Sequence, residues 1–100
     1  MITQVRIYTI NRGMMDSWIK VFTENIVPNS RKYGINIMGA WVNRRQNEFI
    51  WMRSFESEEK LRIYETSPER TALGDRPGSH IAKIEVRDVE PAYEPAAAPA

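Results

Sequence analysis

Residues 2–10 alternate at a spacing of two, with Val5, Ile7 and Thr9 on one side and Gln4, Arg6 and Tyr8 on the other. β-Branched residues are frequent, so the pattern predicts a strand, ended by Asn11-Arg12-Gly13. From Met14 the period becomes helical. Met15, Trp18, Ile19, Phe22 and Ile26 make one apolar stripe, and Lys20, Thr23 and Glu24 fall on its polar side. Pro28 lacks an N–H and disfavours helical geometry at Val27, which predicts a kink or break before a last turn containing Arg31-Lys32. Gly34 suits a left-handed C′ position.

Residues 35–44 and 47–55 read as two strands joined by a tight turn around Arg45-Gln46-Asn47, with Asn47 supplying a positive φ. If Trp41 and Trp51 share a face, paired residue numbers sum to an even value, which requires a three-residue loop or a bulge. Ser57 with Glu58-Glu59 marks a helix start, and Leu61 and Tyr64 are then directed to the core. Ser67-Pro68-Glu69 repeats the start signal for a short second segment stopped by Gly74, before a loop over 75–79. The last strand spans Ile81 to Val89, with Ala82, Ile84 and Val86 toward the helices and Lys83, Glu85 and Arg87 opposite. Residues 1–90 form the predicted domain, and the Pro/Ala-rich stretch 91–100 is predicted to be a mobile tail.

The strands present two usable faces. Arg6, Tyr8, Trp41, Phe49, Trp51, Arg53 and Phe55 are read onto one, and Val5, Ile7, Val42, Ile50 and Met52 onto the other. A sheet with helices on one side and water on the other alternates apolar with plainly polar, so this pattern demands a cover for the second face. The ordinary helix-facing core is read as Val5, Ile7, Ile50, Met52, Ile84 and Val86, leaving the aromatic face for a partner or a ligand. At 100 residues, the chain is one domain in size and does not supply that layer itself.

Composition narrows the function classes. A net charge of +1, with only Arg44-Arg45 clustered, is far from the basic stripe of a nucleic-acid binder. The absence of cysteine excludes disulfides, thiolate metal sites and a cysteine nucleophile. No HExxH, second histidine or glycine-rich phosphate loop occurs, so neither metal nor cofactor is expected. No signal-like start or bilayer-length apolar run is visible, and a cytoplasmic protein without membrane contact is the expectation.

The order strand, helix, strand, strand, helix, strand gives an α+β, ferredoxin-like βαββαβ arrangement with a four-stranded antiparallel sheet. Its first and third strands are central neighbours, which brings Arg6 and Tyr8 near Trp51 and Arg53. Val5-Arg6-Ile7-Tyr8-Thr9-Ile10, Arg12-Gly13, Trp18 with Phe22, Val27-Pro28, Lys32-Tyr33-Gly34-Ile35, Gly39-Ala40-Trp41, and the stretch from Asn47 through Trp51 to Phe55-Glu56-Ser57 together resemble the NIPSNAP domain of the dimeric α/β barrel superfamily. The resemblance covers about residues 3–89. It implies a homodimer in which two sheets pack face to face as a barrel, with each aromatic face turned inward. Relatives often carry a histidine on the third strand with a tryptophan two positions on. Here Trp51 and Arg53 stand in those places, so a proton-transfer role is not carried over.

The candidate ligand-binding residues are Arg6, Tyr8, Trp41, Trp51 and Arg53: the rings would form a slot for a planar molecule and the guanidiniums would hold an anion. Arg6 has an alternative without any ligand, a cross-strand pair with Glu85. Trp41 and Trp51 equally suit dimer packing, while Trp18 is core by its helical spacing and Tyr33 and Tyr64 pack at the helices. Candidate catalytic residues are Tyr8, Trp51, Arg53 and His80, the last being the one group that titrates near neutrality. Three readings follow: a homodimer binding a small hydrophobic or aromatic anion, a cofactor-independent monooxygenase or isomerase acting on an aromatic or quinone-like substrate, and a non-catalytic dimerisation module.

Overall fold

The computed structural model describes residues 1–68 and 79–93. Its elements are β1 (Ile2–Ile10), α1 (Met15–Val21), a π-helical turn (Phe22–Ile26), α2 (Val27–Lys32), β2 (Asn36–Asn43), a 3₁₀ turn (Arg44–Gln46), β3 (Glu48–Phe55), α3 (Glu58–Glu65) and β4 (Ile81–Val89). The sheet order β2-β3-β1-β4 is antiparallel throughout, which is the predicted ferredoxin-like topology. The segment expected between Ser67-Pro68 and Gly74 and most of the loop after it lie outside the described residues, as does the tail from residue 94. No helix among the described residues is long and apolar enough to cross a membrane.

Pro28 does not break the first helix. The chain stays helical from Met15 to Lys32, and the wider turn at Phe22–Ile26 absorbs the irregularity. The Thr23 hydroxyl donates to the Ile19 carbonyl at 2.7 Å, and the Val27 N–H reaches back five residues to the Phe22 carbonyl. Such a turn opens the ladder ahead of a proline, whose ring otherwise clashes with the carbonyl four residues earlier. Other end signals act as read. Gly34 has φ 75° after α2, and the Ser57 hydroxyl caps α3 by accepting from the Lys60 N–H at 3.3 Å.

The two sheet faces are assigned opposite to the sequence reading. The apolar stripe Met15, Trp18, Phe22 and Ile26 packs against Tyr8, Ile10, Phe49, Trp51 and Ile81, so the helices cover the aromatic face. Phe22 meets Trp51 and Phe49 edge-on, with centroids 5.2 and 4.8 Å away, and Trp18 lies 5.6 Å from Tyr8. A second cluster joins Ile35, Phe55 and Tyr64, flanked by Leu61 and Tyr33. Val5, Ile7, Ile50 and Met52, read as helix-facing, are only half-buried on the opposite side of the sheet. Ile84 and Val86 pair with Tyr8 and Arg6 and so lie on the helix-facing side as expected, but Val86 is exposed at the sheet edge, and a register shift at Thr9/Ile10 brings Ile81 rather than Ala82 into the core. The physical reason is volume. Two helices over a four-stranded sheet leave a deep layer that the bulky rings fill and that β-branched side chains alone do not.

Trp41 also changes sides. Asn43 pairs with Glu48 across a four-residue connection, with Asn47 left-handed at φ 54° as predicted. In that register Trp41 pairs with Ile50 rather than sharing the face of Trp51. A bulge between Ile37 and Gly39 shifts the register, and Ile37 beyond it pairs with Arg53 on the helix side. Trp41 is 53 % exposed, and its indole lies across Gly39: a Cβ there would stand 2.8 Å from the ring. Gly39 has no positive φ, and the atom in the way belongs to a movable side chain, so Gly39→Ala is expected to displace the indole without unfolding the sheet. Tryptophan emission that shifts while the melting temperature stays close to wild type is the expected outcome; loss of the cooperative transition would refute it.

A buried two-arginine site under the helices

β1 and β3 run antiparallel, with Arg6 opposite Trp51 and Gln4 opposite Arg53, so alternation places all four side chains on the helix-covered face. Arg53 is fully buried. Its Nε and Nη2 donate to Gln4 Oε1 at 3.1 and 2.8 Å, and Nη2 also donates to Glu65 Oε1 at 2.9 Å, from the last residue of α3. Gln4 Nε2 in turn donates to Asp88 Oδ1 at 2.9 Å, which links an exposed carboxylate on β4 to the guanidinium through a neutral amide.

Arg6 is 7 % exposed, and its Nε donates to the Tyr8 hydroxyl oxygen at 2.9 Å. The guanidinium carbons of Arg6 and Arg53 lie 5.8 and 5.5 Å from the Trp51 ring centroid, and Arg6 lies 5.4 Å from that of Tyr8. Rings thus supply part of the compensation that buried cations need. Burial lowers the pKa of Arg53, the neighbouring charge of Arg6 lowers it further, and the hydrogen bond and charge of Glu65 oppose both. A guanidinium retains its proton under such pressure, so the strain is relieved by anions rather than by titration.

Two donors in this cluster have no acceptor among the described residues: Arg53 Nη1 and Trp51 Nε1. Among the same residues Arg6 makes no ion pair. Its proposed cross-strand pair with Glu85 does not form, because Arg6 pairs with Val86 and the next residue along β4 points to the other face. There Glu85 pairs with Lys83 at 2.7 Å and Arg87 at 3.6 Å, and the Lys83 contact holds its carboxyl below the usual range.

Arg6, Tyr8, Trp51 and Arg53 are therefore brought together, and Trp41 stands apart on the other face. His80 lies beside Trp18, ring centroids 6.3 Å apart, with its Nε2 2.9 Å from the Ser17 hydroxyl oxygen and its Nδ1 3.3 Å from that of Ser79. Gln4 and Glu65 were missed from sequence. Gln4 is legible once the β1–β3 register is known, since it shares the face of Arg6 opposite Arg53. Glu65 carries no local signal; only the docking of α3 brings it there.

No protein-family model matches the sequence, and no curated protein matches it either. Solved structures do. The chain is similar to an uncharacterized NIPSNAP domain protein from Burkholderia xenovorans, with a TM-score of 0.79 and 17% identity over 95% of this chain and 99% of that one. A NIPSNAP family protein from Agrobacterium tumefaciens superposes with a TM-score of 0.77 at 21% identity, covering 96% and 98%. A putative antibiotic biosynthesis monooxygenase from Nitrosomonas europaea gives a TM-score of 0.74 at 8% identity, covering 93% and 100%. The chain has the fold that these NIPSNAP proteins share with the monooxygenase, and it extends over nearly the whole of each.

Proposed function

We propose that this chain is a NIPSNAP-like homodimeric protein that binds a small aromatic anion at Arg6, Tyr8, Trp51 and Arg53. The observation that carries the binding reading is the pair of unsatisfied buried donors, Arg53 Nη1 and Trp51 Nε1, beside a second buried guanidinium. Buried polar groups are ordinarily hydrogen-bonded, and leaving one unpaired costs about 1–3 kcal/mol. An oxyanion accepting from both would remove that penalty, and its aromatic body would lie against the rings of Tyr8 and Trp51. Supporting dimerisation is the half-exposed aliphatic face of Val5, Ile7, Ile50 and Met52 with the exposed Trp41. Its β4 rim alternates Lys83, Glu85 and Arg87, so two copies of this face can set opposite charges against one another.

Calorimetric titration with benzoate and salicylate tests the site. Arg53→Gln and Arg6→Gln are each expected to weaken binding at least about tenfold, the scale of one charge-assisted hydrogen bond. Absence of binding by the wild type, or binding by either variant as tight as that of the wild type, would sink the assignment.

Likeness to the Nitrosomonas europaea monooxygenase favours a second reading, a cofactor-independent oxygenase acting on an aromatic ligand in the same site. Oxygen uptake with an anthrone-like quinol, compared between wild type and Trp51→Phe, decides it: uptake no faster than the buffer blank refutes it. A module that dimerises through Tyr8, Phe49 and Trp51 is not compatible with the helices lying over them.

A further inference from the structure

The charges around the site set what kind of anion it takes. Two buried cations, Arg6 and Arg53, are met by one contacting carboxylate, Glu65, whose side chain is 41 % exposed and touches Arg53 through a single oxygen. Asp88 reaches Arg53 only through the Gln4 amide and is itself exposed, so solvent screens it. Among the described residues the cluster thus has one uncompensated positive charge. We infer that the site selects singly charged oxyanions such as carboxylates over doubly charged phosphate monoesters, and that Glu65 is the residue that sets this preference.

The inference rests on the binding reading above and adds the charge class. A carboxylate accepting from Arg53 Nη1 and Trp51 Nε1 neutralises the cluster while Glu65 keeps its bond to Nη2. A phosphate dianion brings a second charge against the Glu65 carboxylate, on the same guanidinium, in a poorly screened interior. Glu65 is itself partly exposed while the guanidinium it touches is buried, so it is the carboxylate that directly opposes a further negative charge on Arg53.

Two probes that share a phenyl ring and differ in charge, benzoate and phenyl phosphate, test this by calorimetric titration at about pH 8, where a phosphate monoester carries close to two charges. The ratio between variants, rather than either affinity alone, cancels their difference in shape. The wild type is expected to prefer benzoate. Glu65→Gln removes the charge while keeping an oxygen that can accept from Arg53, and it is expected to shift the ratio of the two affinities toward phenyl phosphate at least about tenfold. Glu65→Asp retains the charge and is expected to keep the wild-type preference. A thermal melt of each variant reports any purely structural effect, which would weaken both probes alike. An unchanged ratio in Glu65→Gln, or a wild type that prefers the phosphate, overturns the selectivity while leaving the anion site standing. Failure of the wild type to bind either probe overturns the selectivity and the anion site together.

Discussion

Replacing Trp51 by alanine is expected to lower the unfolding free energy by about 3 to 5 kcal/mol, the range for truncating a large buried aromatic side chain. Trp51 is fully buried on the middle of β3 and meets Phe22 and Tyr8 edge-on, and both guanidiniums lie near its ring. Its indole N–H has no acceptor among the described residues, so the loss is one of packing volume and ring contact rather than of a hydrogen bond. Trp51→Phe retains much of that volume and should lose markedly less. Urea unfolding at fixed protein concentration reads the effect as a fall in midpoint at constant slope. A loss below about 1 kcal/mol for Trp51→Ala would mean that the side chain is not in the core.

The second large effect falls on the opposite face. Ile50 pairs with Ile7 on one side and Trp41 on the other, at the middle of the half-exposed aliphatic surface. Ile50→Lys leaves the core of the protomer untouched, so a cooperative thermal transition should persist. In the proposed dimer the same substitution would set an ammonium from each copy into an apolar interface, where neither has a partner. Desolvation and mutual repulsion then oppose association by about 3 kcal/mol or more, which raises the dimer dissociation constant over a hundredfold. Sedimentation velocity across a dilution series measures it. A variant that dimerises as tightly as the wild type would place the interface elsewhere.

Much of the fold was legible because its signals are local. The period change at Met14, the Ser57 cap, the left-handed Gly34 and Asn47, and the order of strands and helices each depend on a few neighbouring residues. Which face of β1 and β3 the helices cover is not local. Alternation separates Arg6 and Tyr8 from Val5 and Ile7, but both sets carry enough apolar surface to be buried, and periodicity alone does not choose between them. The two arginines misled because a charge is ordinarily excluded from a core. Gln4 and Glu65 make Arg53 tolerable there, as Tyr8 and Trp51 do Arg6. Trp41 was misplaced for a different reason: the register of β2 depends on a four-residue turn and a bulge at Ile37–Gly39, and a shift of one residue moves every side chain to the other face. Even so, four of the five residues named as a ligand site converge, because they lie on the two central strands, where the β1–β3 pairing follows from topology.

The aromatic face of the sheet is inside the protomer, and the aliphatic face is the one proposed to meet a second copy. Light scattering coupled to size-exclusion chromatography, run on wild type and Ile50→Lys in parallel, tests that most directly. The predicted result is a wild type at twice the 11.6 kDa protomer mass and a folded Ile50→Lys variant at the protomer mass. A wild type that stays monomeric at every concentration, or an Ile50→Lys variant that remains a dimer, would contradict it.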